Sequence, residues 1–516
     1  MIEFLYKKFS RSFQLFFLRL DLSKNNFQNF KDLNFKQNDF INYKIVKHYV
    51  LKNNFITNIN IRDVHTFNFL FFYQKLGGKK GIELSKKNIF LWFKKYKNYI
   101  HSPWVEDYAS KRFINIIYNY DYICSISNQK EIKYINFIIN FHIKRIILEV
   151  KHKKIEDLSS YELLAEILIA CIKNNFNFKL SNKLIEFLNL HIDENSVHKS
   201  YNILSHAKFI NNLNEIKNIL LFFNLKSPEA LTNKILAMTS MLSTYRHQDS
   251  SLPLFNGCNN NHNQQIERIL STELFLKTKP MTRFKNGIAV YRDTNKALFF
   301  DVIQPSKFNY HKELSAGSLA LEISALGEKI ITNCGGAEIN AKNSAYLKYS
   351  AAHSTIVINN TNISEIREGN INKTFPKKVI FDSKDLNKNI ILTGTHNGYL
   401  KNYSKICKRE LIINTRNDKF QGKDTIISAK SLIKKYVFHI RFHLTPSIST
   451  IITENKKNII IRTKKNNMWL FKSDNEVLIE KSIYVEKDIA IETSQIVITG
   501  ITSALKNKVT WSLEKI

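Results

Sequence analysis

A segment near the middle of the chain concentrates the residue types that could do chemistry. Residues 246–257 read Arg-His-Gln-Asp-Ser-Ser-Leu-Pro-Leu-Phe-Asn-Gly, so a guanidinium, an imidazole, a carboxylate and an amide lie in one loop. A polar loop that follows a long helical region and precedes strands is typical of the clefts that bind ligands between domains. An ordinary capped linker is the alternative interpretation of this central loop.

Glycine content and hydrophobic periodicity predict the elements that position the central loop. Only three of the 14 glycines precede Gly257, and glycine is disfavoured inside helices but common in the turns and bulges of sheets. Upstream of the loop, apolar residues recur at helical spacing in 132–149, 159–174, 181–190, 202–224 and 229–244. Repeated helix pairs predict an α/α toroid over residues 1–273, with a helical solenoid as the alternative.

The second half of the chain has the pattern of a β-rich domain. From Ile288 onwards, short runs of alternating or β-branched residues follow one another without helical periodicity between them. Such a series predicts a large antiparallel β-sandwich over residues 283–516. Residues 274–282 would form the linker. The predicted fold class is therefore α+β and multidomain, with the helical toroid first and the sandwich second.

The net positive charge of the chain indicates which classes of partner it could bind. The formal net charge is +33 and the isoelectric point is near 9.7, and such a field attracts nucleic acid, anionic lipid or acidic polysaccharide. Residues with AT-rich codons are abundant throughout, so genomic base composition explains much of the lysine excess as well. The Lys-rich segment 454–467 is interpreted as a solvated hairpin, with a surface for RNA or lipid as the alternative.

The cysteines and the apolar runs bear on the compartment. Five widely spaced cysteines without a C-x-x-C pair argue against a disulfide framework and a cysteine zinc site, and favour a reducing compartment. No apolar run approaches the roughly 18 residues that cross a membrane, and no small-residue cleavage site follows the apolar, basic start. We therefore expect a cytoplasmic protein without a transmembrane segment, with the periplasm or cell envelope as the alternative.

Several common catalytic signatures do not occur in the sequence. The chain has no G-x-x-x-x-G-K-[ST], G-x-G-x-x-G, G-x-S-x-G or H-E-x-x-H motif. Nucleotide hydrolysis, Rossmann-type redox chemistry, α/β-hydrolase chemistry and zincin chemistry therefore lose their usual signals.

The motifs that remain resemble those of bacterial heparinase II/III-like proteins. Residues 246–257 resemble the family's R-H-G-D-G…L-x-L-F-N-G stretch, and 314–324 resemble its strand H-A-x-x-L-x-F-E-L-S. Residues 350–358 are similar to the T-A-A-H-N-T-V-V-V segment, and 440–446 to the I-R-F-H-L-x-P turn. These matches occur in the family's order over most of the chain. Their ordered set, more than any one motif, carries the resemblance.

The resemblance implies an α/α toroid joined to an antiparallel β-sandwich, and a polysaccharide lyase that acts on chains containing uronic acid. β-Elimination removes a proton beside a carboxylate, so charge builds on that group and oriented donors must hold it. A base takes the proton, and an acid protonates the leaving oxygen. We expect Arg246 and Asn256 to hold the carboxylate. His247 would share the proton transfers with Tyr201 or Tyr245.

Three further histidines are candidates, one of them at a position that matches the family and two from their expected nearness to the same cleft. His353 lies in the segment similar to T-A-A-H-N-T and is a catalytic candidate, with an ordinary hydrogen-bonded histidine of the β-domain as the alternative. His198 and His311 are candidates for substrate binding. In the family, the region around His198 resembles D-G-G-H…R-x-P, and in this chain both glycines and that histidine are missing.

The resemblance also implies a structural zinc in characterised relatives, but this chain departs from the pattern. The aligned positions carry Ser315, Asn333 and His353. Zinc prefers charged or strongly basic ligands, so we expect no zinc and no other cofactor.

Two alternatives to an active lyase stay open. Loss of the glycines, the histidine and the zinc ligands favours a non-catalytic carbohydrate-binding or cell-envelope biogenesis protein on the same scaffold. Nucleic-acid binding driven by charge is a third hypothesis, which predicts a steep salt dependence. An acidic polysaccharide, and not nucleic acid, is the partner that we expect.

Overall fold

A computed structural model describes most of the chain after residue 61. The described residues are 62–99, 103–104, 107–271, 287–304, 313–337, 345–367, 370–371, 376–430, 434–487 and 489–516. By contact density the chain divides into two compact units, one of residues 1–190 with 211–233 and the other of residues 191–210 with 234–516. Each unit is treated by itself below.

Helices dominate the described residues before 272. They are α1 (Arg62–His65), α2 (Phe69–Leu76), α3 (Gly78–Tyr96), α4 (Tyr108–Tyr118), α5 (Tyr120–Cys124), α6 (Gln129–Lys151), α7 (Ser160–Ile172), α8 (Phe178–His191), α9 (Ile203–Phe222), α10 (Glu229–Thr244) and α11 (Asn263–Leu270). The periodic segments of the sequence predicted α6 to α10 within a few residues. Each of these five segments therefore forms a helix, with ends that differ by up to three residues.

Local capping explains where two of these helices begin. Asn128 caps α6, because its side chain accepts from the Glu131 backbone N–H at 2.9 Å while the Glu131 carboxylate accepts from the Asn128 N–H. Ser159 and Glu162 form the same reciprocal pair at the start of α7. Such capping boxes satisfy backbone donors that a helix start leaves open.

The first unit packs around a buried cation. Arg112 on α4 lies 4.0 Å from the ring centre of Trp92 and 4.5 Å from that of Trp104. Its guanidinium also donates to the carbonyl of His65 at 2.6 Å and to Nε2 of His142 at 3.1 Å. Cation–π contacts of this kind strengthen when water is excluded, so the aromatic residues hold the charge inside the helical core.

The described strands form two eight-stranded antiparallel sheets and one two-stranded pair. The first large sheet contains β1 (Ile288–Arg292), β2 (Lys296–Asp301), β3 (Leu321–Ala325), β4 (Glu328–Thr332), β12 (Val437–Leu444), β17 (Ile489–Ile501) and β16 (Val477–Glu486) in that spatial order, with β5 (Ile356–Ile358) paired to β12. The small pair is β6 (Ile366–Arg367) with β7 (Asn370–Ile371).

The second large sheet lies entirely in the later part of the chain. It contains β13 (Ser449–Ile452), β14 (Asn458–Arg462), β15 (Met468–Ser473), β18 (Lys506–Lys515), β11 (Lys419–Ser428), β10 (Lys405–Asn414), β9 (Asn389–His396) and β8 (Val379–Leu386) in spatial order. A short helix, α12 (Leu400–Tyr403), precedes β10. The Lys-rich segment 454–467 was predicted to form one hairpin, but it contains β14 and a turn on either side of it, so it belongs to two hairpins, β13–β14 and β14–β15.

The two large sheets pack face to face within the second unit. Phe442 of β12 contacts Trp511 of β18 and Phe471 of β15, with ring centres 4.8 and 5.1 Å apart. Between the sheets, buried Arg409 of β10 pairs with Asp424 at 2.7 Å and donates to the carbonyls of two residues outside its own sheet. The predicted β-sandwich is confirmed by this packing.

Contact density groups the residues around the central loop differently from the domain ranges 1–273 and 283–516, and those ranges stay predictions. Residues 191–210 and 234–271 group with the sheets and not with the earlier helices. The physical reason is that the central loop is tied to strand residues by buried hydrogen bonds, as shown below. The expected linker at 274–282 lies outside the described residues, so that boundary stays a prediction.

Candidate functional site

The central loop starts directly after α10 and folds as a tight turn followed by an extended run. The His247 N–H donates to the Ser251 carbonyl at 2.9 Å, and the Asp249 carboxylate accepts from the Ser251 N–H at 2.9 Å. Asp and Ser stabilise turns through such local side-chain bonds. Beyond the turn, residues 252–256 are buried.

One buried carboxylate, that of Glu322 on β3, holds the loop against the first sheet. Glu322 is fully buried. Its two oxygens lie near donors from the loop and from β4, namely His247 Nε2 (2.9 Å), Leu254 N (3.0 Å), Lys329 Nζ (3.1 Å), Asn333 N (3.0 Å), Asn333 Nδ2 (3.1 Å) and Thr332 Oγ1 (3.3 Å). A buried carboxylate needs this many donors, because it has lost its water.

Lys329 balances the charge of Glu322. Its ammonium also donates to the Leu252 carbonyl at 2.9 Å, so it contacts the loop as well. Burial alone would raise the pKa of Glu322, but Lys329 and His247 outweigh burial and lower that pKa to about 2. Burial would likewise lower the pKa of Lys329, but the Glu322 carboxylate raises it on balance. Both groups are therefore charged in the folded protein.

His247 is bonded at both ring nitrogens. Nε2 lies 2.9 Å from the Glu322 carboxylate, and Nδ1 lies 2.8 Å from the Ser324 hydroxyl. Burial and the nearby Lys329 charge lower the pKa of His247 to about 4, so the ring is neutral at pH 7. Because an ionised carboxylate only accepts, Nε2 carries the proton and donates it to Glu322. The ring thus has a structural role, because it links the central loop to β3.

The two candidate tyrosines are also buried. The Tyr245 hydroxyl donates to the Ile288 carbonyl at 2.8 Å, and burial raises its pKa well above the usual value. Burial also raises the pKa of Tyr201, and the Asp193 carboxylate raises it further. A phenol that removes a proton must ionise easily, and the shift of both pKa values is opposite to that need. Both groups are in the form that donates a proton.

Tyr201 has an unusual backbone and a closely packed ring. Its φ of 49° lies in the left-handed region, which non-glycine residues rarely adopt. A Cβ added at Gly287 would lie 2.8 Å from Tyr201 Cε1, and Gly287 has a φ of +102°. Glycine is required at 287 on both grounds, so the start of β1 is shaped to fit this ring.

The polar atoms of Asn256 form hydrogen bonds inside the protein. Its Nδ2 donates to the Tyr201 carbonyl at 3.3 Å, and its Oδ1 accepts from the Ser315 N–H at 3.0 Å. The Asn256 carbonyl accepts from Asn202 Nδ2 at 2.9 Å. The residue therefore joins the end of the central loop to the start of α9 and to the segment before β3.

The remaining histidine candidates differ from one another. His198 Nδ1 lies 2.8 Å from the Ser200 hydroxyl, and its ring stacks on His191 with centres 6.3 Å apart. His353 is buried, and within the described residues neither of its nitrogens has a hydrogen-bond partner. Burial lowers the pKa of His353 to about 4. The third candidate, His311, lies outside the described residues.

Arg246 is the one described member of the predicted set that is not fully buried. Its Nε and Nη2 donate to the Ser250 carbonyl at 3.2 and 3.0 Å, and its guanidinium pairs with Glu267 on α11. Tyr201 and Asn256 lie together, and His247 joins the Glu322 network. His198 is bonded within its own segment.

The sequence interpretation did not single out Glu322, Lys329 or Ser324 as important. The sequence signal that could have identified Glu322 was an acidic residue between Leu321 and Ile323 in a predicted strand. The structure buries every residue of that strand. An acidic residue at such a position needs partners inside the fold.

The residues aligned with the zinc ligands of characterised relatives do not fit a zinc ion. The Asn333 amide is engaged, since Oδ1 accepts from the Ser354 N–H at 2.9 Å and Nδ2 donates to Glu322. That leaves the Ser315 hydroxyl and the His353 ring, a hydroxyl and one imidazole, as donors. In the described part of the chain, no three His, Cys, Asp or Glu residues are grouped so as to hold a metal.

Asp301, at the end of β2, predicts a pH effect on stability. It is buried, it accepts from the Ile303 N–H at 3.1 Å, and burial raises its pKa to about 7. An unfolded Asp has a pKa of about 3.9, so the stability from the neutral carboxyl is present below pH ~4 and is lost as pH rises towards ~7. Asp301→Asn should gain stability relative to wild type over that range, by on the order of 1.4 kcal/mol per pH unit.

Urea unfolding of both proteins at pH 4.5, 6 and 7.5 measures this gain. Asp382→Asn, which changes an exposed aspartate, is the control and should track wild type. Parallel pH profiles for Asp301→Asn and wild type would contradict the assignment.

No helix among the described residues is both long and apolar enough to cross a membrane.

Comparison with known proteins assigns a family to the β-rich part. Residues 277–512 match the family described as Heparinase II/III-like, C-terminal. This part of the chain is therefore a heparinase II/III-like C-terminal domain, as the sequence motifs predicted. No curated protein sequence matches the chain.

The solved structures that are similar to this chain include a heparinase III and a heparan sulfate lyase. The chain is similar to a heparinase III with a TM-score of 0.69 and 11% identity, over 98% of this chain and 89% of that one. It is similar to heparan sulfate lyase HepC of Pedobacter heparinus with a TM-score of 0.60 and 13% identity, over 99% and 88%. Identities this low establish the fold alone. The predicted fold class, a helical toroid followed by a β-sandwich, is confirmed.

Proposed function

We propose that this protein acts on an acidic polysaccharide that contains uronic acid, and that it cleaves the chain by β-elimination. The observation that carries the proposal is the heparinase fold over nearly the whole chain, together with the heparinase II/III-like domain. A fold alone does not imply an activity, so the chemistry is argued from the side chains.

Three of the predicted groups have properties that suit parts of this reaction. Arg246 is partly exposed and presents a forked cation, which matches a carboxylate. Tyr201 keeps its proton at neutral pH, which is the form that a donor to a leaving oxygen needs. His353 is neutral, and in the described structure its ring nitrogens are not bonded, so it has a lone pair that a proton acceptor needs.

Unsaturated uronates absorb in the ultraviolet, and this product gives the test. The protein is incubated with a panel of polyuronates and glycosaminoglycans while absorbance and binding are followed separately. We expect absorbance to rise with at least one polymer, and Arg246→Ala to weaken binding, whereas Arg416→Ala, at an exposed arginine, should not. Silence across the panel, with undiminished binding by Arg246→Ala, would refute the proposal.

The second candidate function is non-catalytic binding of an acidic glycan on the same scaffold. The observation that favours it is that His247, Tyr245 and Asn256 are buried and bonded to other parts of the protein. The same experiment separates the two functions, because a pure binding protein would bind one of the polymers without any rise in absorbance.

A further inference from the structure

Two arginines lie beside the last turn of α10. Arg246 is held by the Ser250 carbonyl, and Arg292 of β1 donates from Nη1 to the Ser243 carbonyl at 2.8 Å. Both side chains are therefore anchored on backbone carbonyls of the segment 243–250. Burial lowers the pKa of Arg292, and the charge of Arg246 lowers it further. A pair of like charges fixed by backbone carbonyls favours an anion nearby.

In this structure Glu267 of α11 supplies an anion to Arg246, one of the two arginines. Its carboxylate approaches the Arg246 fork with both oxygens, with Nη1 to Oε2 at 3.4 Å and a closer contact from Nη2 to Oε1. The exposure of the two partners is unequal. The Arg246 side chain is 12% exposed, whereas that of Glu267 is 55% exposed.

Because Glu267 is more exposed than Arg246, its carboxylate is the partner that a ligand can replace. Arg246 is positioned by Ser250 whether or not Glu267 is present, whereas Glu267 depends on the ion pair alone to leave solvent. Exposed ion pairs contribute little to stability, because side-chain entropy and screening offset their attraction. A guanidinium fork binds any planar or tetrahedral oxyanion in the same way, including a carboxylate or a sulfate. An anionic ligand can therefore take the place of Glu267 at small cost.

We propose that Arg246 and Arg292 form a recognition site for the anionic groups of an acidic polysaccharide, and that Glu267 is its exchangeable internal counter-ion. This inference rests on the proposed function for the class of ligand. A sugar carboxylate or sulfate displaces the Glu267 carboxylate and takes its place on Arg246. Weakly charged polymers do not displace Glu267 from Arg246. Glu267 therefore restricts binding to polymers with a high density of negative charge.

The test compares two variants with the same change in net charge. Glu267→Gln removes the counter-ion, and Glu476→Gln removes an exposed carboxylate elsewhere. Dissociation constants are measured at one ionic strength for polygalacturonate, which carries carboxylates only, dextran sulfate, which carries sulfates only, and neutral dextran. Glu267→Gln should bind a charged polymer about two- to five-fold more tightly than Glu476→Gln, the range expected for removing an exposed ion pair. Arg292→Gln should weaken binding to the same polymer.

The polymer that responds identifies the anion, carboxylate or sulfate. Equal affinities of the two glutamate variants for both charged polymers, or weaker binding by Glu267→Gln, would overturn the inference. Product absorbance is recorded in the same samples. Of the three polymers, only polygalacturonate contains uronic acid and can give the unsaturated product. Tighter binding without product would retain the site and leave β-elimination to the panel of uronate polymers described above, whereas product with no Glu267 effect would retain the lyase and refute the counter-ion.

Discussion

Glu322→Ala is expected to lower the free energy of unfolding by about 3–5 kcal/mol, the cost typical of breaking a buried ion pair from one side. The substitution leaves the Lys329 ammonium without its carboxylate, and it leaves the Leu254 and Asn333 backbone N–H groups without an acceptor. None of these donors can reach water, because the side chains and the backbone around them are buried. Urea unfolding at pH 7, followed by circular dichroism, measures the loss.

Two further variants separate the charge from the hydrogen bonds. Glu322→Gln keeps one acceptor and should cost less than alanine. The double variant Lys329→Met, Glu322→Gln should lose less free energy of unfolding than the two single variants together. Each single variant leaves a buried charge unpaired, whereas the double variant removes both charges. A loss below about 1 kcal/mol for Glu322→Ala, or additive costs in the double variant, would contradict the role of this pair.

The second large effect is expected on acidification. Seven buried histidines among the described residues have pKa values lowered mainly by burial. These pKa values are about 4 for His206, His247 and His353, about 3 for His396 and His443, and well below the usual value for His142 and His198. An unfolded histidine has a pKa of about 6.5. The unfolded chain therefore takes up protons first as the pH falls. The stability that these neutral rings contribute is present above pH ~6.5 and is lost as pH falls towards ~4.

Each such histidine removes on the order of 1.4 kcal/mol of stability per pH unit across that window. The raised pKa of Asp301 acts in the opposite direction and offsets the effect of one ring. We expect the protein to lose cooperative structure well above pH 4, with net proton uptake on unfolding. Urea midpoints between pH 7.5 and 4.5 measure the slope.

A single-histidine variant checks the origin of that slope. His396→Asn keeps an acceptor for the Gly398 N–H, which His396 Nδ1 binds at 3.1 Å, and removes one titrating ring. It should reduce the slope by about one histidine's share, whereas His152→Gln, at a less buried position, should leave it unchanged. Urea midpoints that stay constant between pH 6.5 and 4.5 would contradict the buried neutral rings.

Local patterns in the sequence predicted the fold well. Helical periodicity located α6 to α10, because the apolar residues on one face of a helix recur every three or four residues in the sequence. Alternating β-branched runs located most strands for the same reason. The motif resemblance around Glu322 and His353 located the heparinase-like domain. Each of these signals is contained in a short stretch of chain.

The environment of the site residues could not be predicted in the same way. His247 and Glu322 are 75 residues apart in sequence, and Asn256 bonds to Tyr201 and Ser315 from 55 and 59 residues away. Composition makes a loop with Arg, His, Asp and Asn look reactive, but tertiary contacts decide whether each side chain faces a ligand or the interior. In this chain they turn His247 and Asn256 inward and leave Arg246 at the surface.

The claim that the central loop is an anchored element can be measured directly by hydrogen–deuterium exchange on residues 246–257. The loop is bonded through the Leu254 N–H to Glu322 and through the Leu252 N–H to Asn260. We predict that these amides exchange as slowly as those of β3 in wild type, and that Glu322→Ala speeds exchange in the loop more than in β10. Exchange of the loop in wild type at the rate of an open surface loop would contradict the account.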